Sequence, residues 1–356
     1  MKAYVLNAIN DFSLKNIEKP SPKAGEVIVS VRAAGICGSD IPRVYETGAH
    51  IHPIVIGHEF SGIVSETGDE VDSKWIGKRV GVFPLIPCGQ CPQCKKKQFE
   101  MCRNYSYLGS RANGGFSEYV AVPEANLIEL PDGVSYEQAA MLEPMSVSVH
   151  AIRKMQLNST DTVAVCGLGT IGLLIVMFLK SMGIKSIYAV GNKEFQKQKL
   201  IEMGLEADRY CDGSKENLKQ WINNKTDGHG VDAFFECVGK NETVLNAINS
   251  TAPGGKVMLV GNPYEDMVFD KATYWGILRK QLSVFGTWNS SFVHSENDDW
   301  HYVLKLLETE DIKPQELISH VLDFDKLIDG FEIIRNKKED YIKIMTAKKS
   351  INVNND

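Results

Sequence analysis

The run Thr162-Val163-Ala164-Val165-Cys166-Gly167-Leu168-Gly169-Thr170-Ile171-Gly172 passes from a short apolar strand into the pattern G-x-G-x-x-G and on into a helical stretch. Three glycines at that spacing say little alone. Placed after a strand and at the start of a helix, they open a βαβ unit, the context in which the pattern binds dinucleotides. Gly167, Gly169 and Gly172 permit a tight turn and close backbone approach. Thr170 and Ile171 begin the helix whose N-terminus would receive a pyrophosphate. A glycine-rich turn in some other α/β fold is the alternative.

Strands and helices alternate beyond this loop. Residues 186–190 read as a second strand, 193–203 as a charged helix, 232–236 as a strand, 243–249 as a helix and 256–260 as a further strand. Such alternation makes a parallel sheet. The end of the second strand bears on the choice of cofactor. A site for NAD usually places Asp or Glu there to bind the ribose hydroxyl. The chain reads Ala189-Val190-Gly191-Asn192-Lys193, so Gly191 takes the acid's place. Nothing there repels a 2′-phosphate, and Asn192 and Lys193 can bind one, so NADP(H) is expected over NAD(H). In the alternative, Gly191 is a turn residue and Glu194 or a backbone group holds the ribose.

A second signal is Cys88, Cys91, Cys94 and Cys102, spaced C-x2-C-x2-C-x7-C. Four thiolates close a tetrahedral shell around one zinc ion and leave no open position, so such a site is structural. Pro87, Gly89 and Pro92 bend the backbone, and Lys95, Lys96 and Lys97 offset the thiolate charge. Two disulfides or an iron–sulfur cluster are the alternatives. The start MKAYVLNAIN carries no export pattern, and Cys37, Cys166, Cys211 and Cys237 are scattered singly, as in a reducing compartment.

With 356 residues the chain can build two domains with their own cores. A hydrophobic share of 43% and a net charge of −6 fit a soluble globular protein without a nucleic-acid or membrane role. The longest apolar stretch, 171–179, is too short to span a bilayer. A cytoplasmic location is expected. Residues up to about 147 look mainly β, with alternation at 27–32 and short runs at 62–64, 79–82 and 118–122. The part after about 287, with a helix near 300–308, is too small for a domain and is expected to return to the first one. The polar tail 352–356 is expected to fray.

Three more places stand out: Cys37 in Gly35-Ile36-Cys37-Gly38-Ser39-Asp40, His58 and Glu59 in Gly57-His58-Glu59-Phe60-Ser61-Gly62, and Glu143 in Leu142-Glu143-Pro144. Each alone has an ordinary explanation, a small buried hydrophobe or a hydrogen-bonded pair. Together with the cysteine lobe and the glycine loop, in this order, they resemble the zinc-dependent medium-chain alcohol and polyol dehydrogenases over about residues 3–345.

That resemblance implies an α/β plus β fold: a Rossmann coenzyme domain at 148–285, inserted in a GroES-like, partly open β-barrel catalytic domain formed by 1–147 and 286–356. Catalysis is then expected in the cleft between them. It implies two zinc ions per chain, one structural and one catalytic. The catalytic ion falls to Cys37, His58 and Glu59, with Glu143 as remaining ligand or exchange partner. The Leu-Glu-Pro pattern marks the polyol branch. In the implied reaction zinc lowers the pKa of a substrate hydroxyl and the carbon passes hydride to nicotinamide. Ser39 matches the hydroxyl that relays the proton. In many relatives a His three residues later ends the relay; here Pro42 stands there, and His50 is a candidate replacement. A homodimer or homotetramer is implied, and the run 256–261 is the expected edge strand for pairing across a two-fold axis.

The segments 37–43, 48–50, 57–62, 108–111, 114–116 and 278–280 resemble members of that family that oxidise galactitol 1-phosphate at carbon 5. A phosphorylated polyol needs a cation near the metal. Arg43, six residues past Cys37, is the first candidate, with an ordinary surface Arg as its other reading. Arg111 and Arg279 are weaker candidates, and Arg279-Lys280 better suits a helix C-terminus. Free polyols such as sorbitol or L-iditol are the second substrate reading. A catalytically silent, NADP(H)-binding sensor is the third; against it stands the intact set Cys37, Ser39, His58, Glu59 and Glu143.

Overall fold

The computed structural model describes residues 1–348; the tail 352–356, expected to fray, lies outside the described residues. The chain divides into two compact units, Met1–Glu143 with Ser291–Asp356, and Pro144–Ser290.

In the first unit one long strand, Glu26–Gly35, has the most partners. It pairs antiparallel with Glu59–Thr67, Tyr119–Pro123 and Lys343–Ala347. The sheet runs Leu127–Glu129, Arg79–Val82, Glu59–Thr67, Glu26–Gly35, Lys343–Ala347, Ile318–Leu322, with Tyr119–Pro123 off this path. Its register shifts at Ile28/Val29 and Val31/Ala33. Bulges of this kind bend a strand and let a sheet curl toward a barrel. The expected alternation at 27–32 holds only in part. Ile28 and Ser30 are buried along with Val27, Val29 and Val31. The helix Tyr136–Ala140 packs across this strand and its neighbours, so the second face is covered as well. The C-terminal segment does return here, since Lys343–Ala347 lies between Glu26–Gly35 and Ile318–Leu322.

The second unit is a six-stranded, all-parallel sheet in the order Tyr210–Asp212, Ser186–Gly191, Thr162–Cys166, Val231–Glu236, Thr251–Leu259, Ser283–Gly286. Numbered along the chain this is 3-2-1-4-5-6, the order that binds dinucleotides where the winding reverses, between the first and fourth strands. The helix Thr170–Ser181 buries every residue from Gly172 to Leu179. An apolar run without a polar face is stable only when covered on all sides. The expected edge strand is displaced: Thr251–Leu259 is flanked on both sides, and Ser283–Gly286 forms the edge. That strand has only four residues, too few for a periodic signal. Among the described residues no helix is long and apolar enough to cross a membrane.

Gly167 has φ +95°, and Gly172 packs so tightly that a Cβ on it would collide with the Gly167 carbonyl oxygen. Gly172→Ala must therefore open the turn. The expected result is a loss of about tenfold or more in NAD(P)H affinity by fluorescence titration; an unchanged affinity contradicts the assigned loop.

Candidate metal centres and dinucleotide loop

Cys88, Cys91, Cys94 and Cys102 gather their sulfurs in one place. Cys88–Cys94, Cys91–Cys94 and Cys91–Cys102 are 3.9, 3.5 and 3.9 Å apart. A tetrahedral shell with zinc–sulfur bonds of about 2.3 Å sets its sulfurs about 3.8 Å apart. All four thiols are free, and their spacing is far beyond a disulfide bond of about 2.05 Å. Pro92 starts the short helix Pro92–Lys95, which lets Cys94 N donate to Cys91 Sγ at 3.5 Å. Cys88 N donates to Cys102 Sγ at 3.3 Å. The amides of Cys94 and Arg103 hold the Cys91 thiol down to about 6, so it is readily a thiolate donor. Four sulfurs fill the shell, which leaves no position for a substrate.

The second centre is of a different kind. Donor atoms of Cys37, His58 and Glu59 all lie within 4.8 Å of one another. The strand pairing explains this, because Gly35 at the end of one strand is opposite Glu59 at the start of the next. Cys37 follows the first strand and His58 precedes the second. One buried carboxylate holds both: Asp40 accepts from Cys37 N at 3.0 Å, binds Arg43 Nη1 at 2.5 Å and lies 3.6 Å from His58 Nδ1. That distance is ion-pair range rather than a hydrogen bond, and His58 Nδ1 has no hydrogen-bond partner. Burial alone pulls the His58 pKa down, but Asp40 and then Cys37 outweigh it and hold it well above the usual value. Asp40 responds in the opposite sense: burial raises its pKa, and His58 and Arg43 bring it below normal.

Glu59 is buried against the ammonium of Lys343, which is itself buried and also donates to Ile36 O at 3.0 Å. Gly35 makes room for this pair, since a Cβ there would collide with Glu59 Oε2. Ser39 Oγ donates to Cys37 Sγ at 3.3 Å. Glu143 stands outside the group of three. It is buried and accepts from Tyr107 Oη at 3.1 Å. Burial, which His58 only partly offsets, pushes its pKa up to about 7. A thiol, an imidazole and a carboxylate would give a metal ion three ligands and leave a coordination position open, which is the pattern of a reactive zinc site.

Of the cationic candidates, Arg43 is committed through one nitrogen to Asp40, with 18% of its side chain exposed. Arg111 lies with its guanidinium 4.2 Å from the Tyr105 ring, and His50 is exposed on its loop. Arg279 sits in the last turn of the helix Lys271–Lys280, over Trp275. Its neighbour Lys280 donates to the carbonyls of Ile248, Asn249 and Thr251, at the C-terminus of the helix Asn241–Ser250.

In the second unit Gly169 is the cap of the helix Thr170–Ser181, and a Cβ on it would meet only open space. An anion can therefore approach the helix N-terminus there. Gly191 ends its strand, Asn192 is exposed, and Lys193 caps the helix Glu194–Glu202. Buried Gln196 ties these pieces together, accepting from Asn192 N at 3.3 Å and donating to Leu168 O at 3.1 Å. The chain thus brings the glycine loop and the Gly191–Lys193 end onto one bracing side chain. Asp212, in register with Gly191 on the next strand, is held by Lys215 at 2.7 Å.

Asp40, Tyr107 and Lys343 are the site residues that the sequence did not single out for these roles. Asp40 was within the quoted Cys-Gly-Ser-Asp stretch. The only trace of Lys343 is a charge inside the apolar run Ile342-Lys343-Ile344-Met345.

A family described as "Alcohol dehydrogenase GroES-like domain" matches residues 23–132, and one described as "Zinc-binding dehydrogenase" matches residues 170–309. The galactitol 1-phosphate 5-dehydrogenase of Escherichia coli K12 is 33% identical over 313 residues, covering 87% of this chain and 90% of that protein. A protein of Escherichia coli CFT073 described as a short chain alcohol dehydrogenase, solved with NADH, superposes with a TM-score of 0.89 at 31% identity, covering 98% of this chain and 99% of that one. A zinc-binding dehydrogenase of Sinorhizobium meliloti 1021, solved with NADP, gives 0.89 at 29% identity with the same coverage. The architecture is thus a GroES-like β unit and a Rossmann unit.

Removing one partner of a buried ion pair leaves an uncompensated charge. Lys343→Met is expected to lower stability by about 3–5 kcal/mol in urea titrations. A change below about 1 kcal/mol means that Glu59 does not depend on Lys343.

Proposed function

The chain belongs to the zinc-binding, GroES-like alcohol dehydrogenase family, and we propose that it interconverts a polyol or polyol phosphate with the corresponding ketose. It is an oxidoreductase acting on CH–OH groups. The observation that carries the reading is the open group Cys37, His58 and Glu59, separate from the closed four-cysteine group, on a chain that also carries the dinucleotide loop.

We assign a structural zinc ion to Cys88, Cys91, Cys94 and Cys102 and a catalytic one to Cys37, His58 and Glu59, with Glu143, whose carboxyl senses His58 and Glu59, as the group that would complete or exchange with that set. A zinc ion so held supplies Lewis acidity toward a substrate hydroxyl, and the nicotinamide cofactor accepts the hydride. The residues do the rest. Asp40 fixes Cys37 and His58, Lys343 pairs with Glu59, and Ser39, whose hydroxyl donates to Cys37 Sγ, is the group placed to receive the alcohol proton.

Galactitol 1-phosphate is the favoured substrate, supported by the 33% identical relative of that specificity. NADP(H) is favoured over NAD(H), supported by Gly191 and the neighbouring Asn192 and Lys193. The two units are read as catalytic and coenzyme domains. The open sheet edge at Ser283–Gly286, with exposed Tyr274, Trp275, Leu278, Val284 and Trp288 close to it in sequence, supports a homodimer or homotetramer. Eight free cysteines fit a cytoplasmic location.

The free-polyol reading retains one argument, the engagement of Arg43 by Asp40. A panel of galactitol 1-phosphate, sorbitol and L-iditol, run with NADP+ and NAD+, decides. Galactitol 1-phosphate with NADP+ is expected to give the highest kcat/KM, by about tenfold or more. A preference for sorbitol removes the phosphate reading, and a clear preference for NAD+ removes the Gly191 argument.

A further inference from the structure

The strand end that carries His58 is braced by a loop with a guanidinium at its tip. Gly109 and Gly114 lie against Gly57, which precedes His58; a Cβ on either would collide with the Gly57 carbonyl oxygen. Gly115 N donates to that same oxygen at 2.8 Å. Between these glycines the backbone closes on itself. Arg111 N and Ala112 N donate to Tyr107 O at 2.8 and 3.1 Å, and Gly109 N to Ala112 O at 2.7 Å. Arg111 is thus mounted on a tight turn that is fastened directly beside a candidate metal ligand.

Its side chain is held just as firmly. The guanidinium lies on the face of Tyr105, and Nη1 donates to Tyr105 O at 2.9 Å. Tyr105 packs edge-on against Tyr107 with centroids 6.1 Å apart, and Tyr107 lies 5.8 Å from the His58 ring. These contacts orient the cation without neutralising it: among the described residues no carboxylate pairs with Arg111. Arg43 reaches the same centre through Asp40, which also holds Cys37 and His58. His50 is near both. Burial, then Arg111 and Arg43, keep its pKa below the usual value.

We infer that Arg111, with the remaining nitrogens of Arg43, forms an anion subsite that takes the phosphate of a phosphorylated polyol whose hydroxyl lies at Cys37, His58 and Glu59. A stacked, planar guanidinium with no counter-charge is pre-organised for bidentate phosphate binding. This subsite rests on the dehydrogenase reading and makes Arg111, rather than Arg43, the principal phosphate residue.

The test compares the zinc-loaded wild type with Arg111→Ala and Arg111→Lys on galactitol 1-phosphate and on free galactitol, with inorganic phosphate as a competitor. Arg111→Ala is expected to lower kcat/KM for galactitol 1-phosphate by about 100-fold, mostly through KM, and to lower the phosphorylated-to-free ratio by about 30-fold. Arg111→Lys, which keeps charge and fold, recovers part of the loss. Inorganic phosphate competes with galactitol 1-phosphate in the wild type and much less in Arg111→Ala. Equal losses on both substrates with unchanged phosphate inhibition overturn the subsite and leave Arg111 as a brace for Tyr105. A wild type that prefers free galactitol and ignores phosphate overturns the subsite while the dehydrogenase reading stands. If the wild type oxidises neither, the dehydrogenase reading has failed. Calorimetric binding of galactitol 1-phosphate then decides the subsite: it stands if wild type binds and Arg111→Ala does not, and falls otherwise.

Discussion

Burying a carboxylate among strands is costly unless a cation is buried with it, and Glu59 is buried against Lys343. The pair does more than balance charge. It joins the start of Glu59–Thr67 to Lys343–Ala347, on either side of Glu26–Gly35, at the point where Gly35 has no side chain. The same strand end leads to Cys37. Fixing Glu59 therefore fixes the spacing of the thiol, imidazole and carboxylate. Asp40 repeats the device one turn further on, binding the Cys37 amide and Arg43 and facing His58. The open centre is thus framed by two charge pairs that hold its donors in place before any ligand arrives.

The cysteine lobe and the dinucleotide loop depend less on distant partners. In the lobe, the spacing itself and two amide-to-sulfur contacts close the shell. In the loop, Gly167 and Gly172 pack on each other and Gln196 links the turn to the end of the second strand. Each is assembled from residues close together in the sequence or in adjacent strands. Such sites can be exchanged as units, whereas the open centre needs the C-terminal segment to have come back.

That difference decides what the chain reveals before folding. Cys88 to Cys102 and Gly167 to Gly172 are legible because their chemistry follows from local spacing. Cys37, His58 and Glu59 are visible as residue types, yet their meeting depends on the antiparallel register of two strands. Lys343 is nearly silent: a single charge in an apolar strand carries no address for its partner, because the pairing is set by tertiary packing. The edge strand Ser283–Gly286 was missed for a simpler reason, since four residues are too few for a period. Arg111 is hard to place from the sequence because it is remote along the chain; its loop comes beside His58 only through the glycine contacts at Gly57.

The central claim is that one chain holds two metal centres of opposite character, a closed one at Cys88, Cys91, Cys94 and Cys102 and an open one at Cys37, His58 and Glu59. Metal content measured by mass spectrometry on native chains tests it most directly, comparing the wild type with His58→Ala. The account predicts two zinc ions per chain in the wild type and one in His58→Ala, with the remaining ion still bound and the circular dichroism unchanged. Two ions retained by folded His58→Ala, or a single ion in the wild type, would contradict it.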